Sequence, residues 1–153
     1  MTEENYAGNI IVALANLPDF LRKPMLKKRL IEFYTLDQAE KDSIVNNALK
    51  AGSDIPFENF AKLFETWLRV MAELPREHQI ELFGAYTIKA AANLQHLAKF
   101  HLDGLMEIFL SLPDDTKAVI ASSVSSAIER IGEDEKRKIL LVIPDSAKKY
   151  LKL

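Results

Sequence analysis

Apolar residues recur along this chain in blocks of about 16 residues, at the three-and-four spacing that lines one side of a helix. A short phrase introduces each block: a polar residue, an aliphatic one, then most often a proline. Asn16-Leu17-Pro18, Thr35-Leu36-Asp37, Asp54-Ile55-Pro56, Glu73-Leu74-Pro75, Asn93-Leu94-Gln95 and Ser111-Leu112-Pro113 begin 19, 19, 19, 20 and 18 residues apart. The phrase predicts helix starts. A short polar side chain at an N-cap accepts from one of the unpaired N–H groups, and a proline just inside the helix loses no bond. In Thr35-Leu36-Asp37-Gln38 the spacing fits a capping box, with Gln38 reaching back to Thr35.

The predicted elements follow in order. Residues 3 to 15 form a short helix burying Ile10, Ile11, Ala13 and Leu14. In the next, Pro24 should kink or split the helix at Lys23 and leave a main body from Met25 to Tyr34. Residues 36 to 51 make a thinner amphipathic helix closed by Gly52. The helix after Asp54 is the most apolar, with Phe57, Phe60, Phe64, Trp67, Leu68 and Met71 in one row, which is read as core. Glu73 to Ala92 carries small residues at Gly84 and Ala90 to Ala92, a surface for close helix approach on its own chain or on a second copy. One stripe then runs from Leu94 to Phe109, another from 113 to 131 ends at Gly132, and two shorter helices finish the chain.

Two such units make a hairpin of 38 residues, and repeats of that size predict stacking, since each hairpin covers its apolar face only with the next. The expected fold is one all-α domain over residues 1–153. Its architecture is a HEAT-like right-handed array of about three and a half helical hairpins with roughly 19 residues per helix, or failing that a compact bundle of the same helices. The fixed-offset Trp, Gly, Tyr and Pro of tetratricopeptide arrays are absent. The Leu-Pro punctuation resembles the tandem short helices of flagellar-motor and magnesium-transporter cytoplasmic domains, at a longer interval here.

Composition narrows the chemistry. Among 153 residues there is no cysteine, which removes disulfides, thiolate metal sites and cysteine nucleophiles. A net charge of −2 gives no global pull toward nucleic acid, and no stretch nears the roughly 20 apolar residues of a membrane span. A cytoplasmic location is the expectation. The glycines form neither a P-loop nor a dinucleotide fingerprint, and no cofactor is expected.

Ser122, Ser123, Ser125 and Ser126 lack a neighbouring base and read as small packing residues. His96 shares a helical face with Asp103 and Glu107, an exposed polar stripe in preference to a metal site; His101 points elsewhere, and His78 reads as solvent-exposed. Above this background stand five cations in eight residues: Arg22, Lys23, Lys27, Lys28 and Arg29, the candidate anion- or partner-binding residues. If all five met phosphates, binding to duplex DNA would fall with salt at a log–log slope of about −4 to −5. The sequence as a whole favours a non-enzymatic scaffold or adaptor that offers a groove between helices to a protein partner. The alternative is a nucleic-acid-associated or regulatory protein working through the basic helix, and self-association through the small-residue surface stays open.

Overall fold

The computed structural model describes residues 6–97 and 99–151, and among them the secondary structure is entirely helical. In chain order the helices are α1 (Tyr6–Ala15), α2 (Asp19–Phe33), α3 (Gln38–Gly52), α4 (Phe57–Glu73), α5 (Arg76–Ala92), α6 (Leu94–Leu97), α7 (Leu102–Leu110), α8 (Asp114–Arg130), α9 (Glu133–Val142) and α10 (Asp145–Leu151). The all-α class and most helix positions agree with the apolar period.

The punctuation works differently from the expectation. Pro18, Pro56, Pro75 and Pro113 are themselves the N-cap residues, with ψ near 140–150° and no side-chain cap bond. The proline carbonyl accepts an early helical N–H: Arg22 N donates to Pro18 O and Lys117 N to Pro113 O. The polar residues of the phrase close the preceding helix instead. Asn16 Nδ2 donates to Val12 O (2.9 Å), Thr35 Oγ1 to Glu32 O (2.7 Å) and Ser111 Oγ to Ile108 O (2.7 Å). No capping box forms at Thr35. Asp37 is the N-cap of α3 and accepts from Glu40 N at 2.8 Å, while Gln38 bonds to Asp42.

α2, α4, α5 and α8 start at an extended proline, and several long helices pack on their next-but-one neighbours: α1 on α3, α2 on α4, α3 on α5. The expected pairing of consecutive helices into hairpins is therefore not the dominant contact. α5 lies at the centre, against α3, α8 and α9, and its contact with α8 is the most extensive in the molecule.

Two further expectations change. α2 runs unbroken through Pro24, because the carbonyl that loses its donor belongs to Phe20 on the outward face, where water can serve it. The stripe from Leu94 to Phe109 is two helices, α6 and α7; His101 caps α7, its Nδ1 accepting from Gly104 N at 2.7 Å. Ala98 lies outside the described residues.

The core gathers Leu26, Leu30 and Phe33 of α2, Val45 of α3, Leu63, Leu68, Val70 and Met71 of α4, Ile80, Leu82 and Phe83 of α5, and Ile120 and Ala127 of α8. Ala13, expected inside, is exposed. The α5–α8 seam is polar where it is deepest. Ser123, fully buried, donates to the Gln79 amide oxygen, and Gln79 Nε2 donates to Leu74 O at 2.8 Å. At the edge, Arg76 donates to Ser122 and Ser126, both at 2.8 Å. Three of the serines read as small packing residues, Ser122, Ser123 and Ser126, thus bond the two helices together.

The small-residue surface faces its own chain. Ala90 and Ala91 are buried with Ile139 of α9, and the nearest atom to a Cβ built on Gly84 is Ala127 Cβ at 4.0 Å. That is ordinary contact, so Gly84 is not needed for close approach. Gly84→Ala is expected to stabilise the fold by about 0.5–1 kcal/mol, since alanine lowers the entropy of the unfolded chain at no steric cost. A urea midpoint below that of the parent would show the seam to be tighter than this.

Candidate functional site

The cation cluster of α2 is mostly spent on the fold. Arg22 is only 3% exposed; its Nε donates to Leu14 O (2.9 Å), its Nη2 to Leu17 O and its Nη1 to Asp19 (2.6 Å). It closes the C-terminus of α1 and is no anion-binding residue, because its fork already holds two carbonyls and a carboxylate. Lys23 and Lys27 converge on Glu73 of α4 at 2.7 and 3.4 Å, and the hydrogen bond from Lys23 holds the Glu73 carboxyl below its ordinary range. Arg29 faces Glu32 at 3.5 Å. Lys28 alone of the five has no such partner among the described residues. The same helix exposes Phe20 (77% exposed), Leu21, Met25 and Ile31, with the acidic Glu32 one turn beyond Lys28.

The histidines do not assemble either. The His96 side chain lies outside what the structure describes, and Asp103 and Glu107 stand exposed on a different helix, α7. His78 is half-buried, not exposed: Tyr34 stacks on it at 3.7 Å between ring centroids and donates to its carbonyl at 2.6 Å. Burial, and secondarily Glu81, push the Tyr34 phenol up. No group of three or more His, Asp or Glu able to hold a metal ion occurs among the described residues.

What the structure does assemble is a pocket of about 380 Å³. Its walls come from helices that the next-but-one packing holds around a common space. α4 contributes Phe60, Phe64 and Trp67; α5 contributes Phe83, Tyr86 and Thr87. α7 adds Leu102, Leu105 and Met106, α8 adds Ile120, Val124 and Ile128, and Ile139, Val142, Ile143, Pro144 and Ala147 close it from the α9–α10 side. The aromatic row of α4 that the sequence assigns to the core is split. Leu68 and Met71 are buried, whereas Phe60, Phe64 and Trp67 are half-buried and line the pocket, and Phe57 is exposed.

The aromatic walls brace one another. Phe60 meets Phe64 at 6.2 Å and Phe100 at 5.1 Å, and Trp67 sits edge-on to Phe83 and to Tyr86, both at 5.3 Å. Gly52, in the last turn of α3, is there for room: a Cβ would stand 3.0 Å from Phe60 and 3.3 Å from Phe100. Its expected role as a cap past the helix end is replaced by packing, and Ser53 takes the C-cap position.

No charged side chain lines the pocket. Its polar side-chain groups are three: Thr87, Trp67 and Tyr86. Thr87 donates to Phe83 O at 2.6 Å. The Trp67 indole and the Tyr86 hydroxyl make no hydrogen bond to the described residues, and burial pushes the Tyr86 pKa up to about 12. A sequence signal for the pocket existed in the surplus of large aromatics over α4 and its neighbours, but an apolar row reads the same whether it packs or lines a void. No family model, curated protein or solved structure matches the chain. Among the described residues no helix is long and apolar enough to cross a membrane.

Proposed function

We propose that this chain is a non-enzymatic helical scaffold that takes an apolar guest into the pocket between α4, α5, α7 and α8. One observation carries the reading: 380 Å³ of space walled by apolar side chains. At about 24 cal/mol per Å³, an enclosed empty cavity of that volume would cost up to about 9 kcal/mol, as much as the whole net stability of many domains. The pocket is partly open, which lowers that figure, yet a guest that excludes water from these walls gains what the empty state forfeits. Its volume falls within the range of small-molecule sites. The non-enzymatic part is supported by the lining, which offers no carboxylate, imidazole or amine to move a proton or attack a bond.

The adaptor reading keeps support from a second surface. The exposed side of α2 carries Phe20, Leu21, Met25 and Ile31 together with Lys28 and Glu32, a composition suited to a protein partner more than to phosphates, given the ion pairs of the neighbouring cations. The nucleic-acid alternative is less favoured on the same ground.

Binding of the neutral fluorophore N-phenyl-1-naphthylamine to the purified chain tests the pocket. Saturable fluorescence at one site per chain is expected. Val124→Trp and Leu105→Trp, which project bulk into the pocket from α8 and α7, should each weaken it at least tenfold with helicity retained. Absent binding, or binding indifferent to both variants, sinks the reading.

A further inference from the structure

The walls of the pocket restrict the chemistry of its guest. An ionised group would lose its water on entering and find no counter-charge, a cost that excludes carboxylates, phosphates and ammonium groups from the interior. A pure hydrocarbon would fill the space, but would leave the donors of two lining residues unmatched. Those donors are the Trp67 indole N–H and the Tyr86 hydroxyl, on adjacent helices with ring centroids 5.3 Å apart, neither bonded to a described residue. The third polar side chain, Thr87, already donates to its own helix. Trp67 and Tyr86 therefore put two neighbouring donor-bearing residues into an otherwise apolar lining. Volume sets the size: 380 Å³ is about a dozen times the share of one water in the liquid, so the guest has roughly that many non-hydrogen atoms.

We infer that the pocket binds an uncharged, medium-chain lipid-like molecule carrying one hydrogen-bond acceptor, an ester or ketone oxygen, which receives the Tyr86 hydroxyl and the Trp67 indole. This rests on the pocket being the binding site, as proposed above. The apolar body supplies affinity and the acceptor supplies orientation. Because a buried donor without a partner is penalised, the site discriminates by what it fails to satisfy as well as by what it holds.

The experiment is competition against N-phenyl-1-naphthylamine, using the full chain at pH 8 and three competitors that share a ten-carbon chain: methyl decanoate, the decanoate anion and decane. Methyl decanoate is expected to displace the probe at least tenfold more tightly than decanoate. Tyr86→Phe, with parental helicity and urea midpoint, should weaken methyl decanoate about fivefold and leave decane unchanged, the loss of roughly one hydrogen bond. Trp67→Phe should add a smaller loss in the same direction. Decanoate competing as well as the ester would overturn the exclusion of charge. Equal affinity of the ester for the parent and both variants would overturn the donor assignment. In either case displacement of the probe still leaves the apolar pocket standing, whereas failure of the probe to bind at all removes both.

Discussion

Replacing Arg22 by alanine is expected to destabilise the fold by about 2–4 kcal/mol, an effect no other member of the cation cluster should approach. The side chain is buried and donates to Leu14 O, Leu17 O and Asp19. Hydrogen bonds from a charged group are each worth about 1.5–3 kcal/mol net, and a carbonyl left without a donor in the interior costs about 1–3 kcal/mol. Removing the guanidinium also removes the cost of burying it, which keeps the total below the sum. Arg22→Lys should recover only part of the loss, because one ammonium cannot span two carbonyls and a carboxylate with the geometry of the fork. Lys28→Ala, at an exposed position with no ion pair among the described residues, should stay within about 0.5 kcal/mol. Urea denaturation followed by circular dichroism decides it. Equal midpoints for Arg22→Ala and Lys28→Ala would make Arg22 a surface cation and restore the five-residue anion site.

The second large effect separates packed core from pocket wall. Met71 of α4 is fully buried and surrounded by protein, so Met71→Ala should cost about 2–5 kcal/mol, the transfer energy of the lost atoms plus the cavity they leave. Met106 of α7 is half-buried and borders space that already exists. Truncating it enlarges that space without opening a new one, and Met106→Ala should cost about 1 kcal/mol or less. The two substitutions remove the same atoms from neighbouring helices, α4 and α7, so the ratio of their effects reports whether the pocket is open in solution. Comparable losses would mean that protein fills the space, and the apolar guest would have no place.

The helix register was legible because it is local. The three-and-four spacing of apolar residues placed α4, α5 and α8 within a few residues of their observed limits. Caps were less legible, since Asn, Ser and Thr serve either end of a helix. Asn16, Thr35 and Ser111 stand at the junction of two helices, and the observed bond goes to whichever carbonyl or N–H the turn brings within reach, here the carbonyl three or four residues back. Pro24 misled for a related reason: its cost depends on whether the carbonyl it orphans faces water, and Phe20 does.

Site residues were harder still. A run of five cations is one pattern in the sequence and three fates in the structure: burial against carbonyls for Arg22, ion pairs for Lys23, Lys27 and Arg29, and an exposed ammonium with no ion pair among the described residues for Lys28. The partners of Lys23 and Lys27 lie on α4, more than 40 residues away, so no window around the run contains them. The α5–α8 seam is likewise joined by pairs such as Gln79 with Ser123, 44 residues apart.

The sequence by itself determined an all-α chain, where its helices lie and which side of each turns inward. Helix formation depends on bonds four residues apart and on a period that repeats every few residues, and both are written locally. Tertiary structure alone decided that long helices meet their next-but-one neighbours, that Arg22 goes inside, and that Phe60, Phe64, Trp67 and Tyr86 wall a pocket. An inward-facing apolar residue carries the same pattern whether it meets another side chain or a space; which it will be depends on how helices far apart in the chain come together.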